Sequence, residues 1–324
     1  MSACSRTRLI AIFLLLVTGL LHGGGVAAGD RITVVAALQP TYSIASVLAE
    51  GTSIEVVAVP EGRTGIASLA RKLARLDPAD EMKLEEADAV VTIGSVWPQD
   101  PLFAEARARN VWAIEIDATA SQRPEADRVA ILEAPVSDAP WRKAGRSTNP
   151  VPTVSPYVWF SPANGIRMAE IVASDFRRMA PGDVDRIDQN LADLIRELSL
   201  LKAEYEEKFL AVHDLSIYAL TDRFAYLTND FGFFVHGYFI EQDVRWTEDD
   251  LAGFTALLAD RGISRVIHHW TPSESIRAAA ARAGAEIIVL RNGDGGDSGE
   301  RMEPDGYFKL LRANLEELYR AMAG

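Results

Sequence analysis

The sequence predicts an α/β fold in which two strand–helix alternating halves are separated by one long amphipathic helix. Short β-branched runs alternate with helix-period stretches, the signature of largely parallel sheets. From 183 to 212 the apolar positions Val184, Ile187, Leu191, Leu194, Ile195, Leu198, Leu201, Tyr205 and Phe209 keep a spacing of three and four, with no internal Gly or Pro. After this helix the alternation resumes.

In the first half, strands are expected at 32–37, 54–59, 89–93 and 111–116. Helices are expected at 42–49, 66–76 and 101–109, and Pro40 and Pro101 suit first-turn positions, where a missing N–H costs little. Residues 119–156 are rich in Pro, Ser and Arg without periodicity and read as a long surface loop. A helix follows at 162–179 and stops at Ala180-Pro181-Gly182. The long helix, at roughly 1.5 Å per residue, reaches ~42 Å and can act as a stiff strut. A coiled-coil segment is the less favoured reading, since sheet patterns flank it. In the second half, 215–220, 264–268 and 286–290 read as strands, 249–261, 273–283 and 305–322 as helices, and 291–299 as a polar loop. The expected division is a leader at 1–28, a first lobe at 29–182, the helix at 183–212 and a second lobe at 213–324.

The leader reading rests on charge and hydropathy. Arg6 and Arg8 precede the apolar run Leu9 to Leu21, and Val26-Ala27-Ala28 supplies small residues for cleavage. That is the pattern of a secretory signal peptide. A run of 13 residues is short for a membrane span, so export to the periplasm without stable membrane insertion is expected. The single cysteine, Cys4, precedes the apolar run and is not a lipid-acceptor site. The mature chain then has no disulfide, thiolate metal site or cysteine nucleophile. Removing residues 1–28, which carry two arginines and no acid, moves the net charge from −13 to −15. Such acidity argues against nucleic acid as a partner.

Several segments together resemble the solute-binding proteins of zinc/manganese ABC transporters. Val34-Val-Ala-Ala-Leu-Gln-Pro-Thr-Tyr-Ser-Ile-Ala-Ser-Val-Leu-Ala-Glu-Gly51 is similar to that family's first strand and helix. Glu85-Glu-Ala-Asp-Ala-Val-Val-Thr-Ile-Gly94 resembles its "alanine-aspartate, apolar strand, glycine" segment. Ser155-Pro-Tyr-Val-Trp-Phe-Ser-Pro162 resembles its Pro-His-Val-Trp-Leu-x-Pro motif. Thr221-Asp-Arg-Phe-Ala-Tyr226 and Asp230-Phe-Gly232 resemble its His-Asp-Ala-Phe-x-Tyr and Tyr-Gly pair, and 307–322 its closing helix. The resemblance implies a ligand cleft between two parallel-sheet lobes, one long rigid connecting helix, and delivery to an ABC-transporter membrane permease. It implies a monomer carrying a divalent metal ion (zinc or manganese) as transported ligand, with no organic cofactor.

The departures are as informative. The resemblance places the family's first histidine within Val59-Pro-Glu-Gly-Arg-Thr-Gly-Ile66, which has none. The second falls on Tyr157 and the third on Thr221. The fourth ligand position falls on Asp294 or Asp297. A conventional four-donor zinc site at these positions is not expected, because threonine and neutral tyrosine are poor zinc donors.

The candidate cleft residues are therefore Tyr157, Trp159, Thr221, Asp222, Arg223 and Arg63. Tyr157 can stack and donate a hydrogen bond. Trp159 is read either as cleft wall or, preferentially, as core. Asp222 either contacts ligand or, as favoured, caps the following helix together with Thr221. Arg63 and Arg223 would bind carboxylate or phosphate and repel a bare cation. For metal, the candidates are His268, His269 and Asp294. The histidine pair ends a strand, where ligands gather in open α/β sheets, but adjacent strand residues point to opposite faces unless the strand has already ended. His236, in an aromatic stretch, reads as a partly buried packing residue, and His213 as surface or hinge. Three functions stay open: a metal or metal complex held by altered donors, a small organic or anionic solute, and an accessory role docking another exported protein. No Gly-x-Ser-x-Gly elbow, metalloprotease histidine pair or phosphate-binding loop is present, so no enzyme is expected.

Overall fold

The computed structural model describes residues 31–62, 64–121, 128–142, 153–292 and 301–324. The expected leader 1–28, Arg63, Asp294 and Asp297 lie outside the described residues. All described residues belong to one compact unit, Arg31–Gly324.

Two four-stranded, all-parallel sheets form the architecture. The first contains β1 (Ile32–Ala36), β2 (Ile54–Ala58), β3 (Ala89–Thr92) and β4 (Ile114–Asp117), in the order β2-β1-β3-β4. The second contains β5 (Ser216–Ala219), β6 (Phe234–Tyr238), β7 (Arg265–His268) and β8 (Glu286–Val289), in the order β6-β5-β7-β8. The helices are α1 (Gln39–Ala49), α2 (Ile66–Leu73), α3 (Pro78–Glu85), α4 (Leu102–Arg109), α5 (Pro162–Met179), α6 (Val184–Leu210), α7 (Ala225–Asp230), α8 (Glu248–Asp260), α9 (Glu274–Arg282) and α10 (Gly306–Ala323). Central strands are apolar on both faces because helices cover both: Val34, Val35 and Ala36 are all buried, as are Ile217, Tyr218 and Ala219. Among the described residues no helix is long and apolar enough to cross a membrane.

The long helix forms as expected, over 27 residues, or about 40 Å. Its ends are tied to different lobes. Near its start, Asp183 accepts from Ser53 N at 2.8 Å and Asn190 Nδ2 donates to the carbonyls of Leu48 and Glu50. At its far end Phe209 packs edge-on to Phe231 and Phe233, and Tyr205 donates to Glu316 at 2.7 Å. The buried stripe from Ile187 to Phe209 joins both lobes in one apolar core, and a second core fills the other face of the second sheet beneath α8 and α9.

Three expectations are corrected. The fourth strand was placed at 111–116 but starts at Ile114. Val111 and Trp112 lie in a turn, with Trp112 84% exposed. One helix and one strand are additional, α3 and β6, and the helix expected to follow Asp222 is the short α7. The stretch 119–156 is not simply a surface loop. Within it, residues 128–142 form a strap that docks on the second lobe. Leu132 N donates to Tyr226 Oη at 2.9 Å, and Asp138 exchanges hydrogen bonds with Tyr238 at the carboxyl end of edge strand β6. A Cβ on Gly237 would lie 2.7 Å from the Asp138 carboxylate, so glycine makes this approach possible.

The strap ends on a charged anchor. Arg142 makes a bidentate pair with Asp250 (2.7 and 2.8 Å) and reaches Glu241 at 2.9 Å. Asp250 also accepts from Trp141 Nε1 and closes a capping box with Thr247 at the start of α8. Despite burial, these donors hold the Asp250 carboxyl well below the usual range. Trp141 lies against α8 where Gly253 leaves room: a Cβ there would sit 2.3 Å from the indole.

Candidate functional site

Each sheet reverses its strand order once, between β1 and β3 and between β5 and β7, and the carboxyl ends at such points are where open α/β sheets place ligands. In the second lobe that position carries Thr221–Arg223 after β5 and His268–Trp270 around the end of β7.

The structure brings Tyr157 and Arg223 together. Tyr157, 8% exposed, precedes a short 3-10 helix (Val158–Phe160) that packs on α7 through Phe160 and Phe224, ring centroids 4.9 Å apart. The Arg223 guanidinium carbon lies 5.0 Å from the Tyr157 ring centroid, in cation–π range, and its Nη1 donates to Asn292 Oδ1 at 2.7 Å. Thr221 is buried, and its hydroxyl accepts from Arg223 N at 3.4 Å. Asp222 is half-buried, and its charge helps raise the Tyr238 phenol, after the larger effect of burial. The expected helix cap fails. Phe224, and neither Thr221 nor Asp222, stands at the N-cap of α7, with no side-chain cap bond. Of the two readings of Trp159, the favoured one, core, is what the structure has, and the cleft-wall reading is set aside. Trp159 is fully buried in the core behind Tyr157, its carbonyl accepts from Tyr307 Oη at 2.7 Å, and it offers no cleft surface.

The histidine pair resolves the strand-alternation objection. His268 is the last residue of β7 and His269 lies past it, so both rings turn to one place, centroids 5.1 Å apart. Trp270 packs on both, at 4.1 and 4.0 Å. His268 is 1% exposed and His269 partly buried. Burial, and then the Arg223 charge, depress their protonation to about 4 and about 2, though for His268 the Asp243 carboxylate acts in the opposite sense. Both imidazoles are therefore neutral at pH 7. Among the described residues neither Nδ1 has a hydrogen-bond partner. Asp243 Oδ1 lies 4.0 Å from His268 Nε2, beyond hydrogen-bond range, and Asp243 already accepts from Trp270 Nε1 and Ser273 N. His236 sits on edge strand β6 against Phe234, and His213 is exposed after α6.

The first lobe offers a different surface. Asp100, Glu115 and Asp117 gather at the ends of β3 and β4, unanticipated by motif or spacing. Each has an internal donor: Ile93 N and Leu102 N to Asp100, Thr92 Oγ1 to Glu115, Ser95 N and Thr119 N to Asp117. Burial raises the Asp100 carboxyl to about 6, opposed by its backbone hydrogen bonds and reinforced by its acidic neighbours. In the loop after β2, Glu61 pairs with Arg301 at 2.6 Å. Among the described residues no three His, Cys, Asp or Glu side chains are arranged to hold a metal. The second-lobe position instead combines a guanidinium, a phenol ring, a hydroxyl and two neutral imidazoles. That set can stack, bind an anion and supply one or two nitrogen donors, but it is not a closed tetrahedral cage.

A family profile described as "Zinc-uptake complex component A periplasmic" (ZnuA) matches residues 34–321. The zinc-binding protein AdcA of Streptococcus pyogenes serotype M1 is 23% identical over 167 residues, covering 50% of this chain and 32% of AdcA. The chain thus spans about a third of the length of the curated relatives it matches. Among solved structures, manganese-complexed FpvC from Pseudomonas aeruginosa superposes with a TM-score of 0.68 at 19% identity, covering 90% of this chain and 99% of that one. ZnuA superposes with a TM-score of 0.65 at 18% identity, covering 90% and 100%. A manganese-bound periplasmic metal-binding protein from Candidatus Liberibacter asiaticus gives 0.66 at 16% identity, covering 90% and 100%. At these identities the structural likenesses concern the fold.

Proposed function

Because this chain belongs to the zinc-uptake complex component A family, we propose that it is the exported, solute-capturing component of a metal-type ABC importer. In this reading it holds a metal ion or metal complex between its lobes and hands it to a membrane permease. The supporting observation is the pair of neutral imidazoles at the end of β7, whose Nδ1 atoms have no partner among the described residues. Neutral imidazole nitrogen is a common donor for zinc and nickel, and a buried polar atom without a partner is costly unless something binds it. The leader and its cleavage after Ala28 are part of the same proposal, resting on the pattern of residues 6–28. So are the division at 29–182, 183–212 and 213–324 and action as a monomer. The protein is read as a binder, which stabilises on loading without turnover.

The test is to express the full chain with its own N-terminus, recover it from the periplasmic fraction, and combine elemental analysis with native mass spectrometry. The expected result is a processed chain carrying one metal equivalent, lost on His268→Ala/His269→Ala substitution. An unprocessed cytoplasmic protein, or a processed one without metal in any form, would sink the reading.

A further inference from the structure

Resting on that reading, we propose that Trp270 is a gate over the histidine pair and Asp243 its latch. One carboxylate oxygen of Asp243 holds the indole when the site is empty and turns to His268 when a metal binds. The three rings of residues 268–270 touch one another, with centroids 5.1, 4.1 and 4.0 Å apart. They are graded in exposure: His268 is 1% exposed, His269 partly buried and Trp270 37% exposed. The indole is the outermost ring of the stack, and both Nδ1 atoms are buried. A metal reaching either nitrogen has to displace a covering ring, and Trp270 is the one with an open side. Its one N–H donates to Asp243 Oδ1 at 3.0 Å. Asp243 opens the short turn Asp243–Arg245 after β6, and Trp270 stands in the loop after β7. The bond therefore ties together the loops that follow the two neighbours of β5.

The other carboxylate oxygen anchors the latch. Asp243 Oδ2 accepts from Ser273 N at 2.6 Å, at the start of α9, which leaves Oδ1 as the oxygen that can change partners. Oδ1 lies 4.0 Å from His268 Nε2, about 1 Å beyond a hydrogen bond. The chemistry of a neutral imidazole supplies the reason to change. When Nδ1 binds a metal, the ring's one proton sits on Nε2. A carboxylate accepting from the far nitrogen of a metal-bound histidine fixes the ring and strengthens its donor. The Trp270 and His268 N–H groups thus compete for one oxygen. In the empty site the indole has it and the gate is shut. In the loaded site the imidazole takes it and the indole is released.

The test is stopped-flow tryptophan fluorescence together with calorimetric titration of the mature full chain, using zinc, manganese and nickel chlorides in turn. Loading should shift the emission of the wild type. The shift should vanish in Trp270→Phe, which keeps a ring and loses the latch donor. Trp270→Phe should also take up metal about threefold or more faster, at equal or slightly higher affinity, because the carboxylate is still there for His268. Asp243→Ala should take it up as fast but bind about tenfold or more weakly, through faster release. Asp243→Asn keeps an acceptor oxygen for the indole and loses the charge, so it should stay slow to load and lose part of the affinity. Thermal melts would show that each variant is folded. An association rate within about twofold of wild type in Trp270→Phe, or an affinity within about twofold in Asp243→Ala, overturns the gate and leaves the importer reading standing. Failure of all three metals to bind the wild type overturns the gate together with the histidine site that the importer reading uses.

Discussion

The two lobes share one strand order and differ in how their carboxyl ends are furnished. The first presents Asp100, Glu115 and Asp117, each occupied by local donors. The second presents His268 and His269, whose Nδ1 atoms have no partner among the described residues. The contrast teaches that a repeated scaffold says little about which end does chemistry. Polar groups that satisfy one another mark a structural solution; buried ones left open mark a place for something else.

That comparison can be broken at the far end of the strap, Asp138 to Arg142, which is anchored on the second lobe. Asp250→Ala removes the partner of Arg142 and Trp141 and half of the α8 capping box. It should cost about 4 kcal/mol, the scale of breaking a buried ion pair, measured by urea unfolding. A cost below about 1 kcal/mol would mean the strap contributes little to that lobe.

Acid should then separate the lobes by sign. Below about pH 6.5 the unfolded His268 imidazole takes up a proton that the folded one refuses until about pH 4. Acidification across that window therefore favours the unfolded chain, by up to about 3 kcal/mol. His268→Phe in metal-free protein should flatten this loss, and an unchanged pH profile would contradict the burial argument.

Asp100 should behave oppositely and more weakly. Between about pH 6 and its ordinary 3.8, the folded carboxyl takes a proton that the unfolded one does not. Relative to Asp100→Asn, the native protein should gain about 1 kcal/mol from pH 7 to pH 5. A shift in the other direction would show that the first lobe's acids are better solvated than their burial implies.

Much of the frame was legible because it is written in apolar period. The long helix repeats its stripe over 27 residues, and the central strands β1 and β3 carry the buried apolar runs Val34–Ala36 and Ala89–Val91. α3 escaped because its only buried apolar residue is Leu84, and a solvated helix leaves no stripe. Its signal was the pair Asp77-Pro78, an N-cap before a first-turn proline. β6 escaped because Phe234 is exposed and Gly237 interrupts the pattern on an edge strand. The 128–142 segment gave no period because its binding is made of single contacts, Asp138, Trp141 and Arg142. At the site, Tyr157, Thr221 and Arg223 were reachable through the family motifs. Asn292 and Asp243 were not, since their roles come from tertiary neighbours and not from spacing.

The polypeptide passes between the lobes along α6 and along the strap. It does so again where Glu303, after β8, is gripped by Gln39 and Ser43 of α1. One consequence concerns dissection. Neither half can be excised by a single cut, since each truncation point leaves part of one lobe's wall attached to the other. Attempts to express a lobe alone should give insoluble fragments, whereas exchanging loop residues around β5 and β7 leaves every crossing in place.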